Sequence, residues 1–362
     1  MSLVKQLELP QNGRIIVIPD IHGNLPYFKA LLEKVAFSAD DTLILTGDFL
    51  EKGEYSLDTL RYVMALCAKG NCHAICGNCD DWHLIFDPSW SPRAEEFTMH
   101  YILSKNRGLL WDMCNDCHID PFELESFNQA REVLRVKFEK EFAFLASLPY
   151  AIETQHYIFT HAGMLPDKPL SEHSRKELNR CDALMKKGWH FDKWLIVGHY
   201  PVVLYGENIV CANPVIDREN HIISLDGGCV LKDDGQLNAL IIPQNGSEDF
   251  GFIAYDHFPV KTVLTEQKEG EKSYYIRWGD SEVRVLSRGE EFSHCRHVRT
   301  GYEMDILTKY LFCKEEYTNC NDCTDYILPL KVGDRVSIIE ETSLGYFVKH
   351  KGTSGWYYGE LE

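Results

Sequence analysis

The sequence predicts an α/β fold built on a mostly parallel sheet and followed by small all-β structure. Three observations carry that expectation. Short runs of Val, Ile, Leu, Ala and Phe alternate with amphipathic helical stretches along the first half of the chain. Polar residues gather where those runs end. After Pro243 the texture changes to short β-rich segments. Strands that alternate with helices pair in parallel, because each crossover helix returns the chain to run in the same direction.

Residues 14–19 read as the first strand. Residues 25–36 read as a helix, with Leu25, Phe28, Leu31, Leu32 and Val35 at helical spacing. Residues 42–46 form the next strand, 56–67 a helix and 73–76 a third strand, a βαβαβ pattern. Residues 81–120 read as an irregular, aromatic-rich insertion. One long helix is expected over 124–147. It carries charges on one side and Val133, Leu134, Phe138, Phe142 and Leu145 on the other, and Pro149 stops it. Further strands lead to His161, to His199 and into IISLDGGCV. The QLNALIIP segment after it is expected to close the sheet as an antiparallel pair. QNGSEDFG reads as a linker. The expected domains are therefore 1–245, a β-rich extension over 246–325, and a small barrel over 326–362. Alternating short strands and turns at 332–334, 344–346 and 353–355 suggest five strands in that barrel.

At 362 residues and 44% hydrophobic, the chain has enough apolar material for a sizeable core. Its formal net charge is −18, with a pI near 5.3. Such an acidic surface disfavours non-specific binding to nucleic acid or anionic membranes, though one local cleft can still be basic. The N-terminal stretch lacks a signal-peptide pattern, and no apolar run reaches bilayer length. The 13 cysteines are scattered through a large chain, which fits reduced thiols and a cytoplasmic setting.

Six metal-ligand residue types stand at strand ends: Asp20 and His22 in VIPDIHGN, Asp48 in LILTGDFLEKG, Asn78 in AICGNCD, His161 in YIFTHAG and His199 in LIVGHYPV. Singly, such residues form turns or cap helices. In order, at the carboxyl edge of a buried sheet, they point to a two-metal hydrolase. Asp20, His22 and Asp48 are assigned to a first divalent ion. Asp48, as the bridge, Asn78, His161 and His199 are assigned to a second. With only two carboxylates in the set the site stays cationic, which suits a phosphate. The expected reaction is direct in-line attack on phosphorus by metal-bound hydroxide. Mn²⁺, Fe and Zn²⁺ all suit such ligands.

The series DIHG, GDFLEKG, GNCDD, THAG, GHYPV and LDGGCV resembles the calcineurin-like metallophosphoesterases. It is most similar to the phosphoprotein phosphatase branch, which holds serine/threonine phosphatases and symmetrical diadenosine tetraphosphate hydrolases. FAFLASLPYAIE adds to the likeness, which covers about residues 14–243. The resemblance implies a β-sandwich flanked by helices, in αββα layers, and a phosphorylated protein or nucleotide as substrate. It places Lys52 where the phosphatases carry a phosphate-binding Arg, and Arg180, ahead of Arg175, at the second phosphate clamp. Glu51 and Cys79 stand where the branch has an Asp–His pair that protonates the leaving group. A neutral thiol is a poor substitute for imidazolium, so Asp80 and His83 become candidate donors, and a nucleotide or anhydride leaving group would tolerate the change better.

LKVGDRV, GYFVKHKG and GWYYGEL resemble a bacterial SH3-like domain, whose aromatic residues, Tyr346, Phe347, Trp356, Tyr357 and Tyr358, would offer a peptide groove. The twin tetrapeptides Cys114–Cys117 and Cys320–Cys323 invite a zinc reading, with unligated thiols the simpler one. Trp82, Trp90, Tyr101 and Trp111 line a substrate pocket or, more simply, pack the insertion. A non-catalytic binding protein is the reading from another class.

Overall fold

The computed structural model describes residues 3–87, 89–314 and 317–362. The chain forms two compact units. The first comprises residues up to Val202 with Pro214–Leu231 and Gly235–Asp256; the second comprises Val203–Asn213, Lys232–Asp234 and His257–Glu362.

The elements run β1 (Val4–Gln6), β2 (Ile15–Ile18), α1 (Leu25–Lys34), β3 (Thr42–Leu45), α2 (Ser56–Cys67) and β4 (Cys72–Ala74). Four helices follow: α3 (Pro92–Lys105), α4 (Leu109–Asp116), α5 (Asn128–Lys137) and α6 (Glu139–Ser147). Next come β5 (Ala151–Glu153), β6 (Tyr157–Thr160), α7 (Arg175–Asn179), β7 (Trp194–Val197), β8 (Val210–Cys211), β9 (Val215–Asp217), β10 (Ile222–Ser224), β11 (Leu237–Ile242) and β12 (Gly251–Tyr255).

The first unit holds two sheets, ordered β1-β5-β6-β7-β10-β9 and β12-β11-β2-β3-β4. Strands β2, β3 and β4 pair in parallel, as the βαβαβ pattern requires. Alternation along each strand sorts the side chains by face. Ile15, Val17 and Ile44 of one sheet meet Phe159, Ile196 and Ile223 of the other in a shared core. Ile16, Ile18, Leu43 and Leu45 point the other way, into the cluster formed with Phe28 and Leu31 of α1 and Leu60 and Val63 of α2. Every one of these strand residues is essentially dry, which is why the strands read as unbroken apolar runs.

Several expectations need correction. The insertion over 81–120 is helical, carrying α3 and α4. Ser91 caps α3 by accepting from the N–H of Ala94, and Pro92 starts it. The single helix over 124–147 is two helices broken at Phe138, whose φ of −112° and ψ of 31° leave the helical region. The break lets Ala130, Leu134, Phe138, Phe142 and Leu145 reach one cluster, while Val133 is left exposed. QLNALIIP forms no antiparallel ladder with IISLDGGCV; the two segments meet in a parallel bridge between Gly228 and Gln236. Strand β10 lies in the first sheet, parallel to β7, and β11 lies in the second, antiparallel to β2. The expected linker leads into β12, which pairs with β11.

The second unit is all β apart from short turns: β13 (Val260–Thr262), β14 (Tyr275–Ile276), β15 (Val283–Ser287), β16 (Phe292–His297), β17 (Glu303–Leu307), β18 (Leu311–Lys314), β19 (Tyr317–Cys320), β20 (Cys323–Thr324), β21 (Arg335–Glu341), β22 (Tyr346–His350) and β23 (Thr353–Tyr357). Its largest sheet runs β13-β21-β22-β23-β8. Residues 326–362 thus supply three of those five strands, with β13 and β8 coming from outside that stretch. The turn expected over 353–355 is strand. The chain reverses instead at Lys351 and Gly352, whose φ values of 48° and 84° fit a two-residue hairpin loop. Phe347, Trp356 and Tyr358 form an aromatic row, with ring centroids 5.4 and 6.4 Å apart. Cys320 and Cys323 Sγ lie 3.9 Å apart in this unit, and Cys114 is buried in the first. Among the described residues no helix is long and apolar enough to cross a membrane.

Candidate metal centre

The six strand-end residues come from five strand exits of the two sheets. Asp20 and His22 follow β2, Asp48 follows β3, Asn78 follows β4, His161 follows β6 and His199 follows β7. His22, Asp48 and His199 hold left-handed backbone, with φ of 51°, 50° and 66°. Non-glycine residues adopt that region at a cost, and they persist in it where the surroundings over-determine the turn. Close approach does so here. A Cβ on Gly77 would lie 2.2 Å from the backbone nitrogen and Oδ1 of Asp48.

The cluster is built around Asp48. Its Oδ1 accepts the Cys79 N–H at 2.7 Å and lies 3.4 Å from His161 Nε2; its Oδ2 lies 3.3 Å from Asn78 Nδ2. Asn78 Oδ1 lies 3.2 Å from His161 Nε2. The ring centroids of His161 and His199 are 4.9 Å apart. His199 N–H donates to Asp20 Oδ1 at 2.9 Å, and Asp20 Oδ2 lies 3.7 Å from His22 Nε2. Among the described residues two groups have ligand atoms mutually within 4.8 Å: Asp20, Asp48 and His161, and His22, Asp48 and Cys79.

Each imidazole is aimed by its other nitrogen. His22 Nδ1 lies 3.2 Å from the Leu50 carbonyl and His161 Nδ1 lies 3.0 Å from that of Thr46. A carbonyl only accepts, so Nδ1 carries a proton and Nε2 is the nitrogen turned to the centre. His199 Nε2 lies 2.9 Å from Asp182 Oδ1, leaving its Nδ1 as the inward nitrogen.

The electrostatics are those of a site built for cations. Burial first, then Asp226 and Asp48, push the Asp20 carboxyl well above the usual range. Burial opposes ionisation of Asp48, yet His161 and His22 hold it low. Burial lowers His161, but Asp48 and Asp20 raise it to about 10. Burial, then His161, takes His199 down to about 4. Asp20 Oδ2 is buried with no hydrogen-bond partner among the described residues. A dry carboxylate oxygen without a donor costs kcal/mol unless something positive meets it. The mixed O/N donors and this orphaned oxygen fit a pair of divalent ions.

The remaining candidates divide. Lys52 sits at φ 67° with its Nζ 6.0 Å from the Tyr101 ring centroid. Asp80 turns its oxygens to three backbone donors, the N–H groups of Asp48 (2.6 Å), Gly77 (2.9 Å) and Leu50 (3.1 Å), and so holds the ligand loops together. Burial first, then Asp48, raises the Cys79 thiol well above its ordinary value. His83 Nδ1 is buried without a hydrogen-bond partner among the described residues. Arg180 and Arg175 both line a cavity of about 350 Å³ with Lys176, Asp81 and the candidate ligand Asn78. A capping box between Ser174 and Glu177 starts α7 and so orients Arg175 and Lys176.

Sequence reasoning passed over Asp226, Asp182 and the function of Glu51. Asp226 follows β10 and precedes Gly227, the same strand-end signal as the others. Glu51 does not turn to Cys79. Its Oε1 accepts from Trp82 Nε1 and the Leu109 N–H, both at 2.8 Å, and its Oε2 from the Tyr101 hydroxyl at 2.9 Å. It therefore fastens the helical insertion to the loop that carries Asp48. Trp82 and Tyr101 serve that contact.

Residues 13–224 match the family model described as calcineurin-like phosphoesterase. The chain belongs to the calcineurin-like phosphoesterase family. Among curated proteins it is similar to the symmetrical bis(5'-nucleosyl)-tetraphosphatases of Salmonella typhimurium and Salmonella typhi, 46% identical over 71 residues in each case. That stretch is 19% of this chain and 24% of each relative, so only about a quarter of their length is matched. Among solved structures, a putative diadenosine tetraphosphatase aligns with 70% of this chain and 98% of its own at 19% identity and TM-score 0.43. A protein serine/threonine phosphatase from Saccharomyces cerevisiae aligns with 71% of this chain and 85% of its own at 13% identity and TM-score 0.42.

Proposed function

We propose that this chain is a dinuclear-metal phosphohydrolase. The observation that carries the reading is the clustering about Asp48: Asp20 and His161 on one side, His22 on the other, Asn78 and His199 adjoining, and the Asp20 Oδ2 buried without a hydrogen-bond partner among the described residues. Asp20, His22 and Asp48 would hold one divalent ion, and Asp48, Asn78, His161 and His199 the other. Such ions supply an acidified water and neutralise phosphoryl oxygens. Asp182 orients His199, and Asp80 fixes the Asp48 and Asn78 loops. Arg175, Lys176 and Arg180 bind and orient the substrate's anionic groups in the neighbouring cavity, with Lys52 adding a point charge.

The substrate is a phosphomonoester, including a phosphoprotein, or a dinucleoside polyphosphate. Three cations around one cavity suit several phosphates in a row, and the tetraphosphatase relatives agree with that choice. Cys79 stands where the family's acid is an imidazole, which also favours a leaving group that needs little protonation. Phosphate or nucleotide release from a phosphoserine peptide and from diadenosine tetraphosphate, offered side by side with an Asp48→Asn control, decides between them. Turnover of neither above the control rejects the hydrolase and leaves a metal-containing binding protein.

The SH3-like reading of residues 326–362 rests on its sequence segments and on the Phe347, Trp356 and Tyr358 row. A peptide-array screen of wild type against Trp356→Ala tests it. A cytoplasmic location rests on the acidic, cysteine-bearing composition alone.

A further inference from the structure

We propose that Cys79 is itself a metal ligand, its thiolate joining Asp20, His22 and Asp48 on the first ion. The proposal rests on the dinuclear reading above and assigns Cys79 a place that the six-ligand set leaves out.

Three observations carry it. Cys79 Sγ, a His22 ring nitrogen and an Asp48 carboxylate oxygen all lie within 4.8 Å of one another. Around a four-coordinate ion with bonds of about 2.0–2.3 Å, ligand atoms sit roughly 3.3–3.7 Å apart, so only a small contraction is needed. The sulfur is also held in place by backbone. The Cys79 N–H donates to Asp48 Oδ1 at 2.7 Å, and Asn78 Nδ2 lies 3.2 Å from Sγ, so the sulfur is fixed beside the bridging carboxylate. Asp20, only 1% exposed, holds its unpartnered Oδ2 3.7 Å from His22 Nε2 and groups with Asp48 and His161 on the other side of the shared carboxylate.

The His22 imidazole, the Asp48 carboxylate and the Cys79 sulfur would give the first ion three mixed donors, with Asp20 adjoining through His22. As the sulfur gives its electron pair to the ion, the thiol proton passes to solvent, and nothing is oxidised or reduced. One soft donor shifts the first position toward Zn²⁺ or Fe²⁺ and away from Mn²⁺ and Mg²⁺. It also explains why Glu51 is released from pairing with residue 79 and can bind the insertion instead.

The test uses the full chain loaded with Co²⁺ or Zn²⁺, as wild type, Cys79→Ser, Cys79→Ala and Asp48→Asn, with bound metal counted for each. The wild type is expected to bind two ions per chain. It should show a near-ultraviolet sulfur-to-cobalt charge-transfer band and, with zinc, a Zn–S shell at about 2.3 Å in X-ray absorption. Both substitutions at Cys79 should abolish the band and the shell. They should also weaken Zn²⁺ binding by about tenfold or more while leaving Mn²⁺ binding within a few-fold, since loss of even an outer-shell partner costs that much. If the wild type binds two ions with no sulfur signal, Cys79 is not a ligand and the dinuclear reading stands. A band that persists in both Cys79 variants belongs to another cysteine and overturns the assignment. If no ion binds, both readings fall together. If the variants do not fold, a wild-type zinc absorption spectrum without a Zn–S shell still overturns the assignment.

Discussion

At Asp48 two demands meet, the bridging role proposed for its carboxylate and a strained turn. Its charge is held by His161 and His22, and its loop by Asp80. Replacing it with Asn removes one negative charge between two cation positions. We expect Asp48→Asn to fold, to retain fewer than two ions per chain, and to lose phosphohydrolase activity by about a hundredfold or more; full metal content with unchanged turnover would refute the bridge. Glu51 makes a separate prediction. Burial raises its carboxyl to about 7 from the ordinary 4.5, against the pull of its three donors. The native state therefore keeps the proton where the unfolded chain has lost it. The corresponding stability is present below pH 4.5 and is lost as pH rises through 7, by about 3 kcal/mol in all. Thermal melts of metal-free wild type should fall across that window, and Glu51→Gln should flatten the slope; parallel slopes would show that Glu51 does not titrate there.

Single turns and helices pass these demands on to the site. Gly77 ends the approach of β4 to the Asp48 loop, and a methyl group there meets Asp48 at 2.2 Å. Gly77→Ala should cost about 1–3 kcal/mol as an overpacked contact and should also lower metal content, because Asp48 must turn to admit it. A variant that loses stability but keeps both ions would place the strain elsewhere. In α7 the capping box holds a five-residue helix that could not form alone. Ser174→Ala is expected to raise the KM for a polyphosphate substrate with little change in kcat, because Arg175 and Lys176 lose their footing; steady-state kinetics separates the two. The elements most readable in the sequence were those with one dominant period. Helices α1 and α2 and strands β2 and β3 stand where periodicity puts them. The helix break at Phe138 was hidden, since both halves keep the same stripe and only the surface they must cover bends the chain.

Across the first unit, four carboxyl groups, Asp20, Asp48, Asp80 and Asp226, are buried close to one another. Their mutual repulsion is what bound cations would relieve. Adding Zn²⁺ or Mn²⁺ at a thousand times its dissociation constant should stabilise the chain by about 4 kcal/mol, and the melting temperature should rise with metal concentration. The shift should vanish in Asp48→Asn; an equal shift there would mean that the ions bind outside this centre. The family, the α/β core and the strand-end placement of the six candidate ligands were legible in the chain alone, because strand ends beside glycine are marked locally by abrupt apolar-to-polar steps. Tertiary structure alone decided that β10 and β11 join different sheets, that His22, Asp48 and His199 take left-handed turns, and that Arg175 shares the cavity with Arg180. It also decided that Glu51 faces Trp82 and Tyr101 while Cys79 sits beside His22. Those outcomes depend on contacts between residues tens to a hundred or more positions apart. Such contacts are chosen by packing and by the pairing of buried charge, which no local period encodes.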